Sequence, residues 1–278
     1  IFNKRVEIII GVRAFQNCVS IPEIKILPNI KHVYSQAFKS CTKLKKVIVD
    51  PYQTEIEPDS FMKCISFDTL VIDTTQKEIC AFERLPFRFY KHVKTIIIPY
   101  NVIKLGDYCF QGFPNLIEVQ FPHCLLSIGK YCFLSCVGLR NIKIPDAITT
   151  ISEGCFLNCR KLGTLKLGDS IQSIEKNAFK ECTNLIELEI PRRVSIISEG
   201  AFYGCRKLTE MKLENNIKII KRNAFKNCEK LLKLEIPESV ETIEEFAFAG
   251  CTFLMKVLIL AKIKILHTIG FDWISFGQ

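Results

Sequence analysis

No apolar stretch in the sequence is long enough and uninterrupted enough to cross a bilayer, and no basic segment followed by an apolar one stands at its start. The most apolar region, residues 253–276, is broken by Lys256, Lys262, Lys264, His267 and Asp272, so this segment is not expected to insert in a membrane. Histidine is scarce: His32, His92, His123 and His267 are the four in 278 residues. They fall at four different positions of the chain's internal period, so spacing sets up no His–carboxylate or His–thiol pair. A glycine-rich phosphate loop and a metalloprotease helix motif are also missing. No catalytic constellation and no cofactor motif emerges, and the expectation is a non-enzyme without cofactor or metal.

What is present is an ordinary soluble balance, 48% apolar and 24% charged, with three unusual features: 21 Phe, 14 Cys and a formal charge of +9. The first two belong to a repeat. Phe stands at 15, 38, 61, 87, 110, 133, 156, 179, 202, 225, 248 and 271, every step being 23 residues except the 26 from Phe61 to Phe87. With that Phe as position zero, position −1 is small (Ala37, Ser60, Cys109, Cys132, Cys155, Ala178, Ala201) and marks a tight space. Position +3 is Cys in nine registers (18, 41, 64, 136, 159, 182, 205, 228 and 251), and position +6 is mostly Leu. The spacing of three across Phe-x-x-Cys-x-x-Leu predicts a short helical or 3₁₀ turn with one buried face. Positions +9 and +11 are apolar as a pair, such as Leu188 and Ile190, which is the period of a strand. Pro follows at 99, 122, 145, 191 and 237 and ends it. Positions +15 and +18 are apolar again and return the chain along the opposite side. Each repeat is thus expected to contribute one strand and one turn. The reading is an α/β-type repeat solenoid of about 11–12 units, in which each coil buries its apolar face only against its neighbours.

The run Leu185, Leu188, Ile190, Pro191, Val194, Ile197, Ala201, Phe202, Cys205, Leu208 resembles the Treponema pallidum-type leucine-rich repeat of the BspA-like surface proteins. The resemblance extends over essentially the whole chain. It implies a horseshoe with a parallel sheet on its concave face and a role in surface adhesion or host-protein binding, on the cell surface or secreted. A cytoplasmic scaffold with the same fold is the alternative. Residues 1–278 read as a single domain, and the partial register at Ile1 and the last one at Gly270, Phe271, Asp272, Trp273 and Ile274 fit a segment of a longer array. The register from Cys64 to Phe87 departs from the pattern. Asp73 replaces the Pro, Tyr90 replaces the Cys, and three extra residues are placed around Thr74 to Cys80, where a bulge is expected.

Cys132, Cys136, Cys155 and Cys159 imitate a four-thiolate zinc site by spacing. Repeat position offers a simpler account: two occupy the Cys ladder and two the small-residue slot. Buried Cys as a small hydrophobe covers all but Cys80 and Cys124. Parallel Cβ vectors disfavour disulfides along a ladder, so free thiols are expected.

Positions +8 and +10 point away from the core. Along +10, Ile48, Val71 and Ile97 form an apolar patch, expected either to bind a partner or to lie under the insertion. Further on, Lys143 leads to Lys166, Glu189, Lys212 and Glu235, the last four alternating in sign. These eight residues are the candidate protein-binding face. Lys43, Lys91, Arg160, Lys161, Arg206, Lys207 and Lys230 fall on one turn edge, flanked by Lys45, Lys94 and Arg140, and form a candidate edge for an anionic glycan or acidic protein. Nucleic acid is disfavoured, since no exposed aromatic row accompanies the charge.

Overall fold

The computed structural model describes residues 7–80, 91–263 and 265–266. Over these residues the chain winds as a coil of about ten turns with a repeat of ~23 residues, a parallel-strand β-solenoid. Phe87, Tyr90, Phe271 and the other residues of the last register lie outside the described residues.

Each coil contributes two strands. The longer ones are β2 (Glu23–Ile26), β4 (Lys46–Val49), β6 (Thr69–Ile72), β8 (Thr95–Ile97), β10 (Glu118–Gln120), β12 (Asn141–Lys143), β14 (Thr164–Lys166), β16 (Glu187–Glu189), β18 (Glu210–Lys212), β20 (Lys233–Ile236) and β22 (Lys256–Ile259). Between them run β1 (Ile8–Ile10), β3 (Ile30–Val33) and then two-residue strands, β5 (Glu55–Ile56), β7 (Glu78–Ile79), β9 (Lys104–Leu105), β11 (Ser127–Ile128), β13 (Thr150–Ile151), β15 (Ser173–Ile174), β17 (Ile196–Ile197), β19 (Ile219–Ile220), β21 (Thr242–Ile243) and β23 (Ile265–Leu266). All pairings are parallel, with register such as Val47↔Leu70 and Ile151↔Ile174. The second, short strand corrects the expectation of one strand per repeat. The buried Ile at +18 fixes one residue of the return path, and its backbone then pairs with the same position on the next coil.

The expected helical or 3₁₀ turn is also corrected: no helix occurs among the described residues. Except at Asp59, the described residues two before and two after the Phe have left-handed backbones, such as Asn177 (φ 55) and Glu181 (φ 60) around Phe179, or Gly200 (φ 60) and Gly204 (φ 73) around Phe202. Positive φ at both places breaks a helix into linked turns. The gain is a third ladder. Amides at −2, 0 and +2 donate to the next coil, as Asn177 does to the Glu199 carbonyl at 3.0 Å, Phe179 to Ala201 at 2.8 Å and Glu181 to Tyr203 at 2.7 Å. The amides between them close turns within the coil, as Lys180 does onto Asn177 at 3.1 Å and Cys182 onto Phe179 at 3.2 Å.

The core is a set of aligned rows. Phe rings stack coil on coil at 5.3 to 5.4 Å between centroids from Phe156 to Phe248, nearly parallel. Each ladder Cys from Cys41 onward is packed beside them, and its thiol donates to the carbonyl of the preceding coil's Phe, from Cys64 to Phe38 at 3.0 Å through Cys182 to Phe156 at 3.2 Å to Cys251 to Phe225 at 3.4 Å. That carbonyl already accepts the amide of its own coil's Cys, so the S–H satisfies its second lone pair. All fourteen cysteines are free thiols. Cys132 and Cys155 fill the small-residue slot, fully buried, while Cys136 and Cys159 bond to Phe110 and Phe133.

The extra residues lie elsewhere than expected. Strand starts are 23 residues apart from Glu55 to Glu78 but 26 apart from Glu78 to Lys104. The regular register therefore persists through Ile79, and the insertion falls between Ile79 and Thr95, beyond Thr74 to Cys80.

Two outcomes follow for stability and reactivity. Phe179→Ala should cost about 3–5 kcal/mol and Cys182→Ala about 1–2 kcal/mol in urea unfolding, because both leave a hole in a continuous row and the second also removes one of the two hydrogen bonds to the Phe156 carbonyl. Burial pushes the ladder thiols from Cys41 onward up, Cys64 and Cys251 to about 12. A thiol reagent at mild alkaline pH should then modify exposed Cys80 first and reach the buried ladder from Cys41 onward only after denaturant is added. Rapid modification of Cys159 or Cys205 in the folded chain would contradict the buried ladder.

Candidate functional site

The +10 row is assembled as strand register dictates: Lys25↔Ile48, Ile48↔Val71, Val71↔Ile97 and Gln120↔Ile97. Ile48, Val71 and Ile97 thus stand side by side on one uninterrupted five-stranded sheet, β10-β8-β6-β4-β2. They are half-buried, because each shields its neighbour. The +8 row beside them, Lys46, Thr69 and Thr95, adds hydroxyls and one cation. Charges bound the patch: Lys46 pairs with Glu23 at 3.0 Å, and Lys25 reaches past β4 to Asp73 at 2.8 Å.

Lys143 to Glu235 are not joined to that sheet by a continuous ladder. The hydrogen-bonded strands resolve into separate pairs, β12-β14, β16-β18 and β20-β22. Lys143 faces Lys166 in one pair, Glu189 faces Lys212 in the next, and Glu235 faces Leu258 in the last. The first discontinuity coincides with Phe121, an aromatic where the +11 row otherwise holds aliphatics; its ring sits edge-on to Phe133 with centroids 6.1 Å apart. A shallow depression of about 330 Å³ lies there, lined by Gln120, Phe121, Pro122, Lys143 and Asp146 among others. A second of about 400 Å³ lies between β18 and β20, over Met211, Leu234 and Lys233. Lys212 contacts Glu214 at 2.7 Å and Glu189 at 3.8 Å, and its ammonium holds the Glu214 carboxyl below the usual range. The alternation of sign is therefore realised as pairing at Glu189 and Lys212, while Lys143 and Lys166 stand as like-charged neighbours.

All seven turn-edge cations are exposed, but they are not one stripe. Thr183 and Asn184 separate Arg160 and Lys161 from Arg206, Lys207 and Lys230; Ser66, Asn115 and Gly138 interrupt the earlier coils. Arg206 pairs with Glu229 at 3.4 Å and Arg160 donates to the Asn158 amide oxygen at 2.7 Å. Among the described residues, Lys43, Lys91, Lys161, Lys207 and Lys230 reach no carboxylate.

The residue three before each Phe carries a feature that sequence reading missed. Asp107, Lys130, Glu153, Lys176, Glu199, Arg222 and Glu245 alternate in sign coil by coil. The structure brings them together as Lys130–Glu153 at 3.3 Å, Lys176–Glu199 at 3.0 Å and Arg222–Glu245 at 3.6 Å. This seam neutralises itself, so the net positive charge is left to the turn edge. The signal is legible at a fixed repeat position, one outside the strand face and the turn edge.

A parallel solenoid with Phe, Cys and Leu rows inside and a bare strand face defines a leucine-rich-repeat protein, a class that generally binds proteins. The chain belongs to the family with a BspA type leucine-rich repeat region, whose model matches in six copies over residues 2–83, 54–186 and 172–272. The leucine-rich repeat protein of T. pallidum is similar at 26% identity and a TM-score of 0.59, covering 64% of this chain and 82% of that one. A leucine-rich cell surface protein of Faecalibacterium prausnitzii shares the fold at 24% identity and a TM-score of 0.50, covering 91% and 83%. No curated protein matches the chain. No helix among the described residues is long and apolar enough to cross a membrane.

One electrostatic outcome follows from the seam. Glu199→Lys sets a third cation between Lys176 and Arg222 and should lower stability by about 0.5–1 kcal/mol at low salt, a loss that diminishes as salt rises. An effect independent of salt would mean that the seam carries no electrostatic weight.

Proposed function

We propose that the chain is a non-enzymatic protein-binding module of a cell-surface adhesin or host-interaction protein, and that its partner docks on the strand face around Ile48, Val71 and Ile97. The observation that carries this reading is the apolar row at the centre of the one five-stranded ladder, rimmed by Lys25, Lys46, Glu23 and Gln120. An apolar centre within a polar rim is the layout of protein interfaces. The surface location draws on the family resemblance and on the relative described as a cell surface protein. Lys143, Lys166, Glu189, Lys212 and Glu235 extend the face as a charged continuation that sets orientation more than affinity. The same fold as an intracellular scaffold is the alternative compartment.

Ile97→Glu should weaken binding to purified surface or extracellular-matrix proteins at least about tenfold while leaving circular dichroism and the unfolding midpoint near those of the parent chain. Undiminished binding of a captured partner by Ile97→Glu would remove the patch from the interface.

The unpaired lysines of the turn edge favour a second reading, binding of a sulfated glycan or another polyanion. Retention on heparin should then fall steeply with salt, and reversing Arg160, Lys161, Arg206 and Lys207 together should abolish it. Retention unchanged by the reversal would sink this reading.

A further inference from the structure

The apolar row has unequal edges. On the side where the strands begin, Lys45 and Lys94 are exposed at equivalent positions two coils apart, with exposed Lys43 and Lys91 just behind them. None of the four reaches a carboxylate among the described residues. The one acidic group in that edge row, Asp68, accepts a hydrogen bond from the Thr69 hydroxyl at 2.8 Å. On the side where the strands end, Asp50 is buried and accepts the Tyr52 amide at 2.9 Å, while Asp73 is taken by Lys25. Acid on the far edge is thus consumed within the protein, and base on the near edge is free.

Spacing selects the shape of what fits. Ile48 and Ile97 lie two coils apart, as do Lys45 and Lys94, and two steps between parallel strands are about 9.6 Å. An α-helix lying across the strands repeats its apolar stripe at i, i+4 and i+7, and seven residues rise about 10.5 Å. An extended peptide puts same-face side chains about 6.7 Å apart, and after two such steps it has overshot the row by several ångströms.

We propose that the surface centred on Ile48, Val71 and Ile97 takes an acidic amphipathic helix of a partner protein. The helix lies across β4, β6 and β8, with its apolar stripe on that row and its carboxylates over Lys45 and Lys94. This deepens the protein-docking reading of the face and rests on it.

The test uses two labelled synthetic helices of about eighteen residues, with Leu at i, i+4, i+7 and i+11 and one flank of either Glu or Lys, titrated with the whole chain by fluorescence anisotropy. The Glu peptide should bind at least about tenfold more tightly than the Lys peptide and lose that advantage at high salt. The double variant Lys45→Glu/Lys94→Glu should invert the preference, and Ile97→Glu should abolish binding of both peptides. Equal binding of the two peptides that Ile97→Glu still removes overturns the acidic partner and leaves the docking face standing. A preference that survives the double reversal overturns the assigned edge. If neither peptide binds while heparin retention depends on Lys45 and Lys94, the surface is a glycan site and both readings fall.

Discussion

The ties between neighbouring coils concentrate at one residue, the Phe at the centre of the turn. Its ring stacks on the next ring, as Phe179 does on Phe202 at 5.4 Å; its amide donates to the next coil, at 2.8 Å to Ala201; and its carbonyl receives that coil's thiol, from Cys205 at 3.4 Å. Three interactions of different kind thus converge on a single position. A 23-residue coil has no interior of its own, and this junction, repeated with the Leu and Ile rows, makes stacked coils cooperative. The requirement is strict in space, which is why only Ala, Ser or Cys precedes the Phe wherever the turn is described.

Because the junction draws its partners from inside and along the axis, the outward strand positions are free of structural duty. Their variation from coil to coil therefore carries information that the core positions cannot. The seam from Asp107 to Glu245 is the exception, an outward row used to neutralise charge between coils. With that seam self-paired, the basic excess resides on the turn edge, beside the apolar row of the five-stranded ladder.

The period, the inward rows and the outward rows were legible because each depends on side-chain type at a fixed offset. The turn was misread, since spacing of three fits a helix as well as a chain of turns. The deciding signal was the series at −2 and +2, where Asn and Gly recur at 17, 112, 154, 158, 177, 200, 204, 223, 227 and 250, all with positive φ. Tyr131 and Glu181 take the same backbone without that preference, held there by coil-to-coil bonds, and so hid the pattern. The short second strands, two residues each from β5 onward, lie below what alternation can reveal. The ladder first divides beside Phe121 and again after β14 and β18, and the pairing of charges depends on register; neither is written in the identity of Lys143 or Glu189 alone.

The account stands on the coil-to-coil bonds at the Phe, and amide hydrogen exchange measures them directly. The amides of Phe133, Phe156, Phe179 and Phe202, each bonded to the next coil at 2.8 to 2.9 Å, should exchange at least about a hundredfold more slowly than those of Arg160 and Lys161 and in one cooperative opening with the adjacent strand amides. Phe amides exchanging as fast as those two turn residues would contradict it.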